Sequence, residues 1–92
     1  MAKGYWVVNL RVDDAAAYRV YQSFVTPFLA AHGGRFVVRG GRQIVAEGEA
    51  LPRTVVVEFE SFALAEQVYY SDEYQTGMQT RLNSSHADFV IV

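Results

Sequence analysis

The chain contains no cysteine, two prolines and one lysine, and it has no long apolar run. Without cysteine there is no disulfide framework, no thiolate metal site and no catalytic thiol. Its longest apolar stretches fall far short of the ~20 residues that cross a bilayer. The start, Met1–Gly4, leads straight into a strand-like run. We therefore expect no secretory signal peptide and no membrane partner, and we predict a cytoplasmic location.

The composition is that of a small globular protein with little net charge. Of 92 residues, 51% are hydrophobic and 20% are charged, which excludes intrinsic disorder and suits a single domain over residues 1–92. A net charge of -2 argues against a nucleic-acid partner, because such proteins carry a strongly basic face. The aromatic content of 14% is high for a chain that buries only about two-thirds of its surface. Either the core is unusually aromatic, or a second copy of the chain covers part of that surface.

Hydrophobic periodicity predicts an alternation of strands and helices. Period-two patterns mark strands, helical spacing after a capping side chain marks helices, and a glycine pair indicates a hairpin turn. The predicted strands are 5–12, 35–39, 54–60 and 87–92; the helices run from Asp13 or Asp14 to Ala31, from Ser61, and from Ser71 to Leu82 or Asn83; a short hairpin arm covers Arg42 to Glu47. This order predicts an α+β fold of the ferredoxin-like βαββαβ type, with an antiparallel sheet in the order 4-1-3-2 and helices on one face.

The two faces of the predicted sheet are too similar in polarity for a monomer, whose outer face would be exposed to water. One face packs against the helices with Trp6, Val8, Leu10, Phe36, Val38, Val55, Val57, Phe59, Phe89 and Ile91. The other is also largely apolar and carries Tyr5, Val7, Val37, Val56, Val90 and Val92 among Asn9, Arg39, Glu58 and Asp88. Monomers rarely expose so large an apolar patch, so we predict a homodimer that joins sheet to sheet as a barrel. A one-residue slip in a strand would instead exchange its two faces.

Several short motifs, in this order and spacing, resemble a bacterial family known as domain of unknown function 1330. They are Ala30–Phe36, Val38–Gly41, Glu47–Gly48, Arg53, Val57–Phe59 and Tyr70–Tyr74, together with Tyr18, Tyr21 and Arg81. Two departures are mild: Ser61 stands where a proline is common, and Tyr69 where a tryptophan is common. That family is similar to the dimeric α+β barrel proteins, which include cofactor-independent monooxygenases, haem-degrading enzymes, lactone isomerases and dye-decolorising peroxidases. The resemblance implies a dimeric barrel, but a shared fold implies no particular activity.

Arginines gather at one end of the predicted sheet. The topology brings together Arg11, Arg39, Arg53 and the segment from Arg81 to His86. Such a cluster suits bidentate binding of a carboxylate or phenolate. The alternative is a set of surface ion pairs with Asp13, Asp14, Glu49 or Asp88, each worth ~0–1 kcal/mol. Arg39 differs from the others, because its predicted side faces into the barrel with Asn9 and Glu58. A buried arginine needs a partner there, either Glu58 or a ligand anion.

His32 and Tyr74 are the remaining candidate site residues. His32 ends the first helix, where the helix dipole favours a protonated imidazole; alternatively it acts as a general acid or base near the cavity. Tyr74 belongs to the core or lines the mouth of a pocket. His32 and His86 lie at opposite ends of the predicted sheet without a set of carboxylates, so we predict no metal site. The sequence contains no phosphate loop or dinucleotide-binding motif, and we expect no cofactor.

These residues support three hypotheses about function. The first is a dimeric binding protein for a small anionic or phenolic metabolite, held between sheet and helices by Arg39. Asn9, His32, Glu58 and Tyr74 would lie nearby, with Arg53 and Arg81 as a secondary anion-binding cluster. In the second, the same cavity oxygenates or isomerises an enolisable aromatic without a cofactor; His32 removes a proton and Arg39 stabilises the anion. The third is a dimer without a small-molecule site.

Overall fold

Residues 2–92 are the part of the chain that this computed structural model describes, and their elements follow the order β-α-β-β-α-α-α-β. The elements are β1 (Gly4–Val12), α1 (Ala15–Ala31), β2 (Arg35–Arg39), β3 (Arg53–Phe59), α2 (Phe62–Tyr69), α3 (Asp72–Gly77), α4 (Gln79–Ser84) and β4 (Ser85–Ile91). The sheet is antiparallel in the order β2-β3-β1-β4, which is the predicted order read from its other edge. The predicted α+β ferredoxin-like fold is thus confirmed.

The helices begin where short polar side chains can cap them. Asp14, Ser61 and Ser71 are the N-caps of α1, α2 and α3, and each side-chain oxygen accepts a hydrogen bond from the backbone N–H three residues later. The helix predicted from Ser71 to Leu82 or Asn83 is interrupted at Met78, so α3 and α4 take its place. The interruption follows Gly77, where a Cβ atom would collide with the ring of Phe24; the α3 backbone at Gly77 therefore packs directly against this ring of α1.

Alternate residues of β1 and β3 face the helices and form the core. Trp6, Val8 and Leu10 are at most 4% exposed, and the indole N–H of Trp6 donates a 2.8 Å hydrogen bond to the carbonyl oxygen of Ala65. Val57 lies opposite Trp6 in the register and is equally buried. The period-two pattern therefore assigned the helix-facing side of these two strands correctly.

A bulge in β2 changes the faces predicted for that strand. Phe36 lies opposite Val57, but Val38 rather than Val37 lies opposite Val56. One extra residue in β2 thus moves each later side chain of this strand to the opposite face of the sheet. Val38 lies on the outer face and is 41% exposed, whereas Arg39 lies opposite Val55 and faces the helices. Both predictions, Val38 towards the helices and Arg39 towards the outer face, were wrong for this reason.

The hairpin arm predicted at Arg42 to Glu47 is also wrong. Residues 41–52 form neither a helix nor a strand. Gly40 does turn the chain, with a positive φ of 71°. Side-chain hydrogen bonds, rather than strand pairing, then hold the segment at the end of the sheet. Gln43 donates a 2.8 Å hydrogen bond to the Leu51 carbonyl oxygen, and Asn9 donates to the same oxygen at 2.9 Å. These side-chain hydrogen bonds take the place of the backbone hydrogen-bond ladder that a β-hairpin would form.

The sheet face turned away from the helices is largely apolar. Its exposed valines are Val7, Val37, Val38, Val90 and Val92, which are between 37% and 54% exposed. Val56, at the centre of β3, lies opposite Val7 and is half-buried. Within residues 2–92, no helix has both the length and the apolar character needed to cross a membrane.

Candidate functional site

A cavity of about 30 Å³ lies between α1 and the helix-facing side of the sheet. Apolar core residues form most of its wall, and a few polar side chains reach it: Tyr18, Tyr21, Gln22, Arg39, Arg53 and Arg81. One water molecule needs only ~10–15 Å³ of such space. Because convergent polar groups in an apolar wall are typical of ligand pockets, this cavity is the candidate site.

Three arginines reach the cavity from three different elements. Arg39 ends β2, Arg53 begins β3 and Arg81 lies on α4. Arg39 is exposed, Arg53 is half-buried and Arg81 is only 4% exposed, so positive charge extends from the surface into the interior. Among the described residues, the ion pairs include none of the three, and no acidic side chain lines the cavity. The site is therefore cationic and has no counter-ion of its own.

Arg81 is the most deeply buried of these charges and has few polar contacts. Its Nε atom is buried without a hydrogen-bond partner in the described chain, and its Nη2 atom lies 3.8 Å from the Met78 sulfur, a weak acceptor. Its guanidinium carbon lies 5.2 Å from the Phe89 ring centre and 5.9 Å from that of Tyr21, which is within cation–π range. Burial lowers the pKa of Arg81, but Tyr74 and Tyr21 raise it, and the net direction is upward. The side chain therefore remains charged.

Tyr21 and Tyr74 form a buried hydroxyl pair beside Arg81. Their oxygen atoms lie 2.8 Å apart, and Tyr74 is 0% exposed. Burial raises the pKa of Tyr21 far above its usual range, with a further contribution from Tyr74. Burial also raises the pKa of Tyr74, although Arg81 and the hydrogen bond with Tyr21 lower it. Both hydroxyls stay protonated at neutral pH, and Tyr21 is the one that lines the cavity.

Arg53 occupies its position because residue 40 is a glycine. A Cβ atom on Gly40 would lie 2.5 Å from Nη1 of Arg53 and 2.8 Å from its guanidinium carbon. The positive φ of 71° at Gly40 independently favours glycine. The buried Nε atom of Arg53 has no hydrogen-bond partner among residues 2–92. Gly40 thus leaves the space in which this guanidinium packs.

Arg39 bridges from β2 to α1 at the exposed side of the cavity. Its Nη2 atom donates a 2.6 Å hydrogen bond to the hydroxyl oxygen of Thr26, and its guanidinium carbon lies 4.1 Å from the centre of the Phe36 ring. It makes no ion pair with Glu58, because the bulge turns it to the opposite face of the sheet.

Asn9 and Glu58 lie on the outer face, away from the cavity. Asn9 uses both ends of its amide on the backbone: Nδ2 donates to the Leu51 carbonyl, and Oδ1 accepts from the Leu51 N–H at 2.5 Å. Glu58 accepts a 2.9 Å bond from Arg35 and a 3.3 Å bond from the Tyr5 hydroxyl. The bond from Arg35 is the main cause of the lowered pKa of Glu58. These contacts are structural, so neither residue joins the arginines as the sequence predicted.

His32 also lies outside the cavity. Its Nδ1 atom is 2.8 Å from the Phe28 carbonyl oxygen, which can only accept, so Nδ1 carries the hydrogen. The imidazole stacks on the Phe28 ring at 4.3 Å, and Nε2 lies 3.8 Å from a carboxylate oxygen of Glu73. These contacts hold the ring at the end of α1, outside the arginine cavity. Residues 2–92 contain no cluster of three or more histidine, aspartate or glutamate side chains that could hold a metal ion.

The sequence-predicted cluster is therefore only partly assembled. Arg39, Arg53 and Arg81 meet, while Arg11 forms an exposed 2.8 Å ion pair with Asp13, as the surface alternative proposed. Tyr21 and Gln22 line the cavity but were not predicted to do so. Tyr21 lies at helical spacing from Tyr18 and Val25 on the buried side of α1, which could have identified it as a wall residue, whereas Gln22 carried no signal.

The fold and the arginine-lined cavity define a class: a small α+β ferredoxin-like protein with a cationic cavity between sheet and helices. Within that class the chain belongs to the family described as Domain of unknown function (DUF1330), whose model matches residues 3–92. No curated protein matches the sequence.

Solved structures with low sequence identity share this fold. A protein of unknown function from Rhodopseudomonas palustris has 16% identity and a TM-score of 0.76, with 98% of this chain and 80% of that chain covered. A dimeric ferredoxin-like protein of unknown function from Jannaschia sp. CCS1 has 13% identity and a TM-score of 0.68, covering 99% of this chain and 98% of that one. SnoaB, a cofactor-independent oxygenase from Streptomyces nogalater, has 12% identity and a TM-score of 0.68, covering 100% and 92%. At these identities the likeness shows the fold alone.

Proposed function

We propose that this protein binds a small, partly apolar anion, a carboxylate or phenolate, in the cavity between α1 and the sheet. The observation that carries the proposal is Arg81, which is 4% exposed and has no carboxylate partner among the described residues. Burying a charge without a partner costs free energy, and an anion in the cavity would offset that cost. An ordinary structural arginine would instead reach solvent or pair within the chain.

The dimensions and walls of the cavity favour the head group of a larger ligand. About 30 Å³ accommodates a group of a few atoms, so the remainder of the ligand would extend past the exposed side chain of Arg39. Protonated Tyr21 would donate a hydrogen bond to the anion alongside Arg81. The aromatic rings of Trp6 and Phe36, which also line the space, favour an apolar neighbouring group.

A binding role has more support than the enzyme alternative. His32 does not line the cavity, and its Nδ1 hydrogen is engaged by the Phe28 carbonyl oxygen. Proton abstraction by His32 from a ligand held by Arg39 therefore has no geometric support. The oxygenase activity named for SnoaB belongs to that protein, and the resemblance in fold carries no residue of its mechanism to this chain.

Benzoate is a suitable probe, measured by isothermal titration calorimetry against wild type and two variants. Arg81→Met keeps the apolar stem and removes the buried charge; Arg11→Met removes the same charge from an exposed ion pair. Charge-assisted hydrogen bonds are worth about 1.5–3 kcal/mol, so Arg81→Met should weaken benzoate binding by roughly tenfold or more. Arg11→Met should leave it unchanged.

Two results would contradict this proposal. One is equal affinity of wild type and Arg81→Met for benzoate. The other is binding of benzyl alcohol, the neutral analogue, as tight as that of benzoate, because the buried charge would then contribute nothing.

We also propose that the outer face of the sheet pairs with a second copy of the chain. Val7, at the centre of this face, lies opposite both Val56 and Val90, so the exposed apolar side chains are contiguous. Contiguous apolar patches of this kind mark association surfaces. The Jannaschia protein, described as dimeric, shares the fold, which supports a dimer here. The arginine cavity lies on the opposite side of the sheet and would remain open in such a dimer.

A further inference from the structure

A second recess lies on the helix side of the sheet, between α2 and β4. Its volume is about 270 Å³, and its lining residues are Phe62, Glu66, Tyr69, Tyr70, Phe89 and Ile91. β4 is an edge strand, paired only with β1, so the recess opens at the rim of the sheet. We call it the α2–β4 groove. It is separate from the arginine cavity and shares only Phe89 with it.

The groove places aromatic rings at steep angles to one another. The Tyr69 and Tyr70 ring centres are 5.0 Å apart at 85°, and Tyr69 lies 4.9 Å from Phe89 at 55°. Helical spacing sets Phe62, Glu66 and Tyr69 on one face of α2, because they are four and three residues apart. Phe62 is 50% exposed and Tyr70 65% exposed, so both offer ring surface that the core does not use.

The charge in this groove has one sign. Glu66 is its ionisable acid, and in the described residues it takes part in no ion pair; no lysine or arginine lines the groove. Aromatic faces carry partial negative charge and attract cations, which a carboxylate reinforces. Arg81 lies 5.2 Å from the shared Phe89 ring and would oppose a cation, so Glu66 is the group that must offset it.

We propose that the α2–β4 groove binds a small quaternary ammonium cation against its lining aromatic rings, with Glu66 as its counter-charge. An anion would face Glu66 unfavourably, and a neutral apolar ligand would pack on the rings but leave the carboxylate without a counter-charge. Apolar methyl groups around a delocalised positive charge fit the combination of rings and carboxylate.

Choline is the probe, and a chemical-shift titration of the tyrosine rings is the measurement. The neutral comparison is the carbon isostere of choline, in which a tert-butyl group replaces the trimethylammonium group. Choline should shift the Tyr69 and Tyr70 signals and saturate, and the isostere should bind at least roughly threefold more weakly, as expected for cation–π contacts at exposed sites. Equal affinity for the two ligands, or no saturable shift with choline, would overturn the proposal.

Variants separate the rings from the carboxylate. Glu66→Gln and Tyr70→Leu should each weaken choline binding by roughly twofold to fivefold, whereas Tyr70→Phe keeps the ring and should restore most of the affinity. Glu47→Gln makes the same change in net charge at an exposed position outside the groove and should have no effect. If Glu66→Gln and Glu47→Gln bind choline equally well, the assignment of the counter-charge is wrong.

Discussion

The paired hydroxyls of Tyr21 and Tyr74 connect α1 with α3 in the interior, and their protonation makes stability depend on pH. Because burial raises both pKa values above the ordinary value of about 10, the folded chain holds these protons at pH values where the unfolded chain releases them. The stabilisation is present below about pH 10 and is lost as the pH rises through the folded-state pKa values.

This predicts a steeper fall in the free energy of unfolding above about pH 10 for wild type than for Tyr21→Phe, which cannot ionise there. Urea denaturation at a series of pH values measures that slope. Tyr70→Phe is the control, because Tyr70 is 65% exposed, and it should keep the wild-type slope. Reversible ionisation of all six tyrosines near pH 10, followed by ultraviolet absorbance with the fold intact, would contradict the buried pair.

Among the elements, β2 shows where sequence patterns stop being sufficient. The alternation in β1 and β3 predicted which side chains face the helices, because each strand keeps its register over its whole length. In β2 the bulge inserts Val37, and alternation cannot signal an extra residue. The end of the sheet at which Arg39 lies followed from element order, but its face did not.

For the candidate site, too, the end of the sheet was predictable and the face was not. Topology alone brings Arg39, Arg53 and Arg81 to one end, since it depends only on strand order and direction. Their access to the helix side depends on the bulge and on the packing of α4, neither of which has a sequence signature. His32 illustrates the opposite case: its place at the end of α1 was evident, and the local bond to Phe28 follows from that place.

Alanine substitutions in the turn after β2 separate the effect of backbone strain on stability from an effect on the arginine cavity. Gly40 and Gly41 both have positive φ, 71° and 90°, so an alanine at either position should cost about 1–2 kcal/mol. A Cβ atom at Gly41 would meet nothing within 4 Å, whereas one at Gly40 would displace the Arg53 guanidinium. Gly40→Ala should therefore weaken benzoate binding, and Gly41→Ala should not, although thermal denaturation finds both variants destabilised.

Because both glycine variants should lose a similar amount of stability, a difference in their affinity for benzoate tests whether Arg53 contributes to the anion site. If both variants retain wild-type affinity for benzoate by calorimetry, Arg53 does not contribute to the anion site. If both lose affinity equally, the loss comes from the turn as a whole and not from the position of the guanidinium.

For the whole molecule, the distribution of apolar surface decides the expected assembly. The helix side of the sheet is covered by α1 to α4, while the outer face leaves Val7, Val90 and Val92 at least 37% exposed. Val7 lies on the central strand β1 with valines opposite it on both neighbouring strands. A two-fold pairing of these faces would bury both copies of Val7 in the same interface, since a two-fold interface brings the same patch from both chains together.

Val7→Glu should therefore convert a dimer into a monomer, because two carboxylates would have to be buried without partners in the same interface. Val20→Glu is the matched control: it introduces the same charge on α1, at a valine that is 61% exposed and remote from the sheet. Light scattering after size exclusion should give twice the chain mass of 10.3 kDa for wild type and for Val20→Glu, and the single mass for Val7→Glu. A wild-type protein of single mass would refute the dimer, whereas a dimeric Val7→Glu would move the interface elsewhere on the molecule.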